Sequence, residues 1–170
     1  MAAGDALSYD LQVDGRDRAI ISIYGLKLVD PTNFRPLGIA ISKILRKSFA
    51  TTIALEGRPT RFAPLAKSTI ARKKALGQPL TPLVATGAMR NSLARRNFRG
   101  NVTYVAASGT LRVGTNIPYA HYHVTGTKNK NGSPRMPARN PLVILPEDWQ
   151  AIQDLVKAWT NGDTNVTGDE

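Results

Sequence analysis

The sequence contains no cysteine. This absence excludes a disulfide framework, a thiolate metal site and a cysteine nucleophile. No uninterrupted apolar run is long enough for a helix that spans a bilayer, and residues 1–5 lack the basic and apolar regions of a signal peptide. We therefore expect a soluble protein that is not secreted by a cleaved signal and has no membrane partner.

Aromatic residues are scarce, and acidic residues are almost missing from the middle of the chain. Aromatic residues make up 6% of the 170 residues, which is few for a surface on which nucleic-acid bases stack. Residues 35–140 carry nineteen Lys or Arg and one acid, Glu56, whereas residues 141–170 carry one base and six acids. The basic segment favours a polyanionic partner or an acidic protein surface over the alternative of a merely solvated face.

Signals for catalysis or metal binding are also weak. No serine lies in a Gly-x-Ser-x-Gly turn, and no glycine run has the spacing of a phosphate-binding loop. On a strand, His121 and His123 would face the same side as a metal pair does, but no carboxylate lies between Glu56 and Glu147 to complete such a site. We interpret both histidines as parts of a structured turn, and we expect no enzyme activity and no cofactor.

Two pairs of β-prone runs are each separated by a short turn that contains glycine, which is typical of β-hairpins. The paired runs are residues 7–13 with 19–26, and residues 102–107 with 110–115. The sequence therefore predicts two antiparallel hairpins.

Four segments have the spacing or the end signals of helices. Residues 36–53 form the longest, an amphipathic helix whose apolar stripe consists of Leu37, Ile41, Ile44, Leu45, Phe49 and Ile53. Residues 68–76 form a short basic helix, and Thr86 is expected to cap a third that continues to Leu93. The last helix begins at Pro146, has an apolar face and ends at Asn161-Gly162.

Residues 125–139 form a polar segment with too few apolar residues to be held by a core, so we expect it to be mobile or shaped by a partner. The order of elements predicts an α+β fold in a single domain, residues 1–162. In it the long amphipathic helix and the C-terminal helix pack on an antiparallel β-sheet. Residues 163–170 are predicted to form a flexible acidic tail.

The candidate interaction residues are basic side chains on the predicted helices and in the polar segment. They would face DNA in a channel or acidic neighbouring proteins. They are Lys43, Arg46, Lys47, Arg72, Lys73, Lys74, Arg95, Arg96, Lys128, Lys130, Arg135 and Arg139.

Several short motifs occur in an order and spacing that resemble the phage virion morphogenesis family, the tail-completion proteins of Mu-like and related tailed bacteriophages. The resemblance covers about residues 36–160. Its pieces are Glu56-Gly57-Arg58-Pro59, Phe62-Ala63-Pro64-Leu65, Thr69 with Lys73, Thr86-Gly87-Ala88-Met89-Arg90-Asn91-Ser92, Val113-Gly114-Thr115-Asn116, Tyr119-Ala120 with His123, and Met136-Pro137-Ala138-Arg139.

The resemblance implies a structural virion protein without enzyme activity, made in the host cytoplasm and built into the neck between head and tail. Its implied partners are further copies of itself in a ring, together with adjacent connector and tail-tube proteins and the genomic DNA in the channel. Rings of related joint proteins are commonly hexameric. The acidic residues of 147–170 would neutralise the basic segment of an adjacent subunit. Two alternatives stay open: a factor for head assembly, and a protein that binds nucleic acid without regard to sequence.

Overall fold

A computed structural model describes residues 7–14, 18–30 and 33–163. The turn expected at residues 15–17 and residues 164–170 of the expected tail lie outside the described residues. The strands are β1 (Ser8–Asp14), β2 (Arg18–Tyr24), β3 (Asn101–Val105), β4 (Leu111–Thr115), β5 (Thr127–Lys128) and β6 (Pro134–Met136). The helices are α1 (Leu26–Val29), α2 (Arg35–Ala54), α3 (Lys67–Ala75), α4 (Ala88–Ala94), α5 (Ala120–Thr125) and α6 (Pro146–Thr160).

The main sheet is antiparallel and combines the two hairpins. β1 pairs with β2 and β3 pairs with β4, which confirms both predicted hairpins. β2 and β4 then pair with each other, with Ile21 opposite Val113, so that the strand order is β1-β2-β4-β3. The two central strands therefore come from distant parts of the chain.

Helix α2 supplies the apolar surface that covers this sheet. Leu37, Ile41, Leu45, Phe49 and Ile53 are fully buried, as the helical spacing predicts. They join one core with the inward residues of β2 and β4 and with the apolar face of α6. The α+β class, with helices packed on an antiparallel sheet, is confirmed.

A buried polar network joins α2 to the start of α6. Asp148 Oδ2 accepts hydrogen bonds from the backbone N–H of Leu145 at 3.1 Å and from Ser48 Oγ at 2.5 Å. Ser48 Oγ in turn accepts from Arg58 Nη2 at 2.7 Å, and Arg58 Nη1 lies 3.7 Å from Glu147 Oε1. The carboxylate that the sequence places at the helix start therefore also fixes α6 against α2.

We expect Asp148→Ala to lower the free energy of unfolding by about 2 kcal/mol, because the helix loses its N-terminal carboxylate and a buried hydroxyl loses its acceptor. Asp154→Ala is the matched control, since Asp154 is exposed on the same helix and its partners in the described part of the chain are Gln150 and Lys157. It should cost less than about 0.5 kcal/mol. Chemical denaturation of both variants measures the difference, and equal losses would contradict the network.

The polar segment 125–139 has more regular structure than its composition predicts, because a hydrogen-bonded turn shapes it. β5 and β6 form a short antiparallel ribbon there. The connecting turn contains the bonds Asn129 N to Ser133 O at 2.8 Å and Gly132 N to Asn129 O at 2.9 Å. Asn131 Oδ1 also accepts from the backbone N–H of Ser133. The turn residues, rather than an apolar core, hold the tip of this segment in shape.

The start of α4 differs in detail from the sequence prediction. Its N-cap residue is Gly87, with a left-handed φ of 80°, rather than Thr86. Thr86 Oγ1 lies 3.5 Å from the amide nitrogen of Ala88, at the limit of a hydrogen bond. The left-handed turn at Gly87 moves the threonine one position outside the helix.

Candidate functional site

Lys73 is the only residue of α3 that is buried. Its Nζ donates to the carbonyl oxygens of Pro79 at 2.7 Å and Thr81 at 2.9 Å, and also to that of Val84. Burial lowers the pKa of Lys73 below its ordinary value. A side chain from a run of three basic residues thus holds α3 to the segment that follows it.

Arg139 is the second buried cation. Its Nε donates to the carbonyl oxygen of Ala63 and its Nη2 to that of Pro64, each at 2.8 Å. Its backbone N–H donates to the carbonyl oxygen of His123 at 2.6 Å. Burial lowers the pKa of Arg139 from its high ordinary value. The residue therefore joins the segment after β6 to the segment before α3 and to α5.

A cavity of about 440 Å³ lies beside these two cations. We call it the basic groove, because Lys73, Arg135 and Arg139 line it and none of the described residues around it is acidic. Leu65, Leu83 and other apolar side chains form most of its remaining wall. Its lining consists of residues 64–66, Thr69, Lys73, 83–85, 87–88, Tyr119, His123, 135–137 and Arg139.

His123 is the histidine that lines the groove. Its ring lies edge-on to the ring of Tyr119, with centroids 5.9 Å apart. Its buried Nδ1 has no hydrogen-bond partner within the part of the chain that the structure describes. Burial lowers the pKa of His123 below 6.5, and the positive charge of Arg139 lowers it further.

We expect the protein to lose stability on acidification below pH 6.5, partly because of His123. The pKa of His123 is lower in the folded state than in the unfolded chain, so on acidification the unfolded chain binds the proton first. The stability that is present above pH 6.5 is therefore lost as pH falls. One proton changes the free energy of unfolding by at most about 1.4 kcal/mol per pH unit. Denaturant unfolding between pH 5 and 8 should show a shallower pH dependence for His123→Gln than for the wild type. If the free energy of unfolding of the two proteins changed equally with pH, His123 would not be a source of the acid sensitivity.

Only three of the twelve candidate basic residues come together at the groove: Lys73, Arg135 and Arg139. Arg96 lines a separate cavity of about 110 Å³ between α2 and β3, together with Arg35. The others are distributed over α2, α3, the end of α4 and the ribbon. Those that are exposed are Lys43, Lys47, Arg72, Lys74, Arg95, Lys128 and Lys130, while Arg46 is half-buried.

His121 and His123 lie on the short helix α5, not on a strand. Within residues 7–14, 18–30 and 33–163, no group of three or more His, Cys, Asp or Glu side chains could hold a metal ion. In the same ranges, no helix combines the length and the apolar character that crossing a membrane requires.

The apolar wall of the groove was not predicted from local patterns. Leu83, Val84 and Ala85 lie in a segment without regular structure, where periodicity carries no information. The short motifs that resemble the phage family did indicate the groove, because five of them supply residues that line it. Those lining residues are Pro64 and Leu65, Thr69 and Lys73, Gly87 and Ala88, Tyr119 and His123, and Met136, Pro137 and Arg139.

The fold and the groove define a small α+β domain whose scattered sequence motifs converge on one basic cavity. The model of the phage virion morphogenesis family matches residues 19–161. The chain therefore belongs to this family, whose role is in the structure and assembly of bacteriophage particles. Neither the curated proteins nor the solved structures contain a match.

Proposed function

We propose that this protein is a tail-completion component that forms a ring at the neck and joins the phage head to the tail. The observation that carries the proposal is the family match over residues 19–161, which spans most of the chain. The proposed location is the virion neck, and the proposed partners are further copies of this chain, neighbouring connector and tail proteins, and the DNA in the channel.

The charge of the described surface supports a role in contacts with anionic partners. Lys43 and Lys47 lie exposed on α2, Arg72 and Lys74 lie exposed on α3, and further cations occupy the β5–β6 ribbon. Exposed cations of this kind attract phosphate backbones and acidic protein surfaces without reading base sequence.

We propose a structural rather than an enzymatic role. The buried cations of the groove support it, because Lys73 and Arg139 hydrogen-bond to carbonyl oxygens of their own chain. A catalytic cation would instead direct its donors at the position of a reacting group. These two residues shape the groove walls.

The proposal is tested by electron microscopy of particles from cells infected with a phage that carries an early stop codon in this gene. Full heads beside separate finished tails are the expected result, and wild-type protein supplied in trans should restore joined virions. Missing or aberrant heads would assign the protein to head assembly. Normal infectious virions would overturn both roles and favour binding of nucleic acid elsewhere in the infected cell.

A further inference from the structure

The basic groove has positive charge that its own walls do not neutralise. Lys73 and Arg139 are buried, with only 7% and 6% of their surfaces exposed, and within the described residues their side chains hydrogen-bond to carbonyl oxygens rather than to carboxylates. Arg135 adds an exposed third charge at the edge. Charges act strongly on one another in a partly buried site of low effective dielectric constant, so the groove favours an occupant with carboxylates.

The groove also has apolar walls and the size of a ligand site. Its volume of about 440 Å³ falls within the range of pockets that enclose small ligands or short side-chain clusters. Leu65, Leu83 and Met136 contribute apolar surface, and Tyr119 is 42% exposed beside it. The best occupant therefore combines an apolar side chain with carboxylates a few residues away.

Residues 164–170 of the chain have this composition. They contain Val166, Asp169 and Glu170 and no basic residue. We propose that this segment binds in the basic groove of a second copy of the chain, with Val166 against the apolar wall and the two carboxylates near Arg135 and the buried cations. The inference rests on the proposed function and deepens it, since it names the contact by which neighbouring subunits would associate.

The orientation of α6 favours a neighbouring copy over the same chain. The start of α6 lies at Ser48 and Arg58, near the end of α2, and its end lies at Asp30, before α2, where Trp159 Nε1 donates to Asp30 Oδ2 at 3.3 Å. Pro64, which lines the groove, lies two residues after Phe62, whose backbone N–H donates to the carbonyl oxygen of Glu56 just beyond the end of α2. The segment therefore leaves the domain at the other end of the α2–α6 pair.

The length of α6 is consistent with this arrangement. Its 15 residues span about 22 Å, so the end of α6 lies a full helix length from Ser48 and Arg58. Binding to the next copy needs no return along this helix. A contact between two different surfaces of identical chains repeats head to tail and closes into a ring when the rotation permits.

Sedimentation equilibrium of the full-length chain over a range of concentrations tests the proposal. We expect reversible association that weakens with added salt. Arg135→Glu should lower the association constant roughly tenfold, because a repulsion replaces an attraction, and Asp169→Lys with Glu170→Lys should do the same. Combining the three substitutions should restore most of the lost association. Lys130→Glu is the matched control, since it makes the same charge change in the same ribbon but outside the groove.

A second measurement identifies the occupant. A fluorescein-labelled peptide of residues 160–170 should bind to the full-length variant that carries Asp169→Lys and Glu170→Lys. The same peptide should bind much more weakly to a variant that carries Arg135→Glu as a third substitution. Peptide binding by a wild-type chain that stays monomeric would overturn the second copy in favour of the chain's own groove. Association without rescue by the charge swap would overturn the groove contact while leaving the neck ring intact. The micrographs of the stop-codon phage test the neck role separately.

Discussion

Gly114→Ala is expected to lower the free energy of unfolding by about 3 kcal/mol, at the upper end of the usual cost of overpacking. Gly114 lies on the central strand β4, opposite Ile20 of β2. A Cβ atom at this position would lie 2.2 Å from the carbonyl oxygen of Ala19 and 2.7 Å from the Cα of Ile20. Both colliding atoms belong to the backbone, so no side chain can rotate away.

The strand cannot move aside either, because β2 and β4 are the two inner strands and each is paired on both edges. Thermal unfolding should therefore show a decrease of roughly 10 °C in Tm. Gly132→Ala serves as the control for the added methyl group: unlike Gly114, Gly132 has a left-handed φ, 82°, and its added Cβ would meet nothing within 4 Å. That variant should lose about 1 kcal/mol from backbone strain alone. A Gly114 variant as stable as the control would show that the sheet absorbs the methyl group.

The longer helices and the two hairpins were predictable because their signals are local, whereas the short helices α1 and α5 were not predicted. The 3.6-residue spacing of Leu37, Ile41 and Leu45 predicts α2, and Pro146 with Asn161 marks both ends of α6. The pairing of β2 with β4 was not predictable, since nothing near Ile21 in the sequence specifies Val113 as its neighbour. Pairing across that distance depends on the complete core.

The candidate site was predictable only in its composition. Lys73 lies between Arg72 and Lys74, and three adjacent basic residues are usually solvated, so no local rule distinguishes the buried one. Arg139 likewise follows a polar segment, whereas its partners, the carbonyls of Ala63 and Pro64, lie far away in the chain. A charged side chain is buried only where the tertiary structure supplies hydrogen-bond acceptors for it. Local sequence patterns do not show where those acceptors lie, whereas the family motifs mark the residues that come together.

Lys73→Met is expected to release the segment 79–84 from α3. The substitution keeps the length and helix propensity of the side chain but leaves three carbonyl oxygens, those of Pro79, Thr81 and Val84, without their donor. Bonds from a charged donor contribute about 1.5–3 kcal/mol each, and part of that sum is offset because a buried ammonium no longer has to be desolvated. We expect a net loss of about 3 kcal/mol for local opening.

Hydrogen exchange measures this loss directly. The amide groups of Leu76, Gln78 and Val84 take part in the backbone bonds of this region, and their protection should fall by about 100-fold. Lys74→Met is the matched control, because it removes the same charge from an exposed position one residue along the same helix. Its protection pattern should equal that of the wild type. If both variants exchange alike, the ammonium group of Lys73 does not hold the segment; if only Lys73→Met opens, that single buried cation maintains the α3 wall of the basic groove.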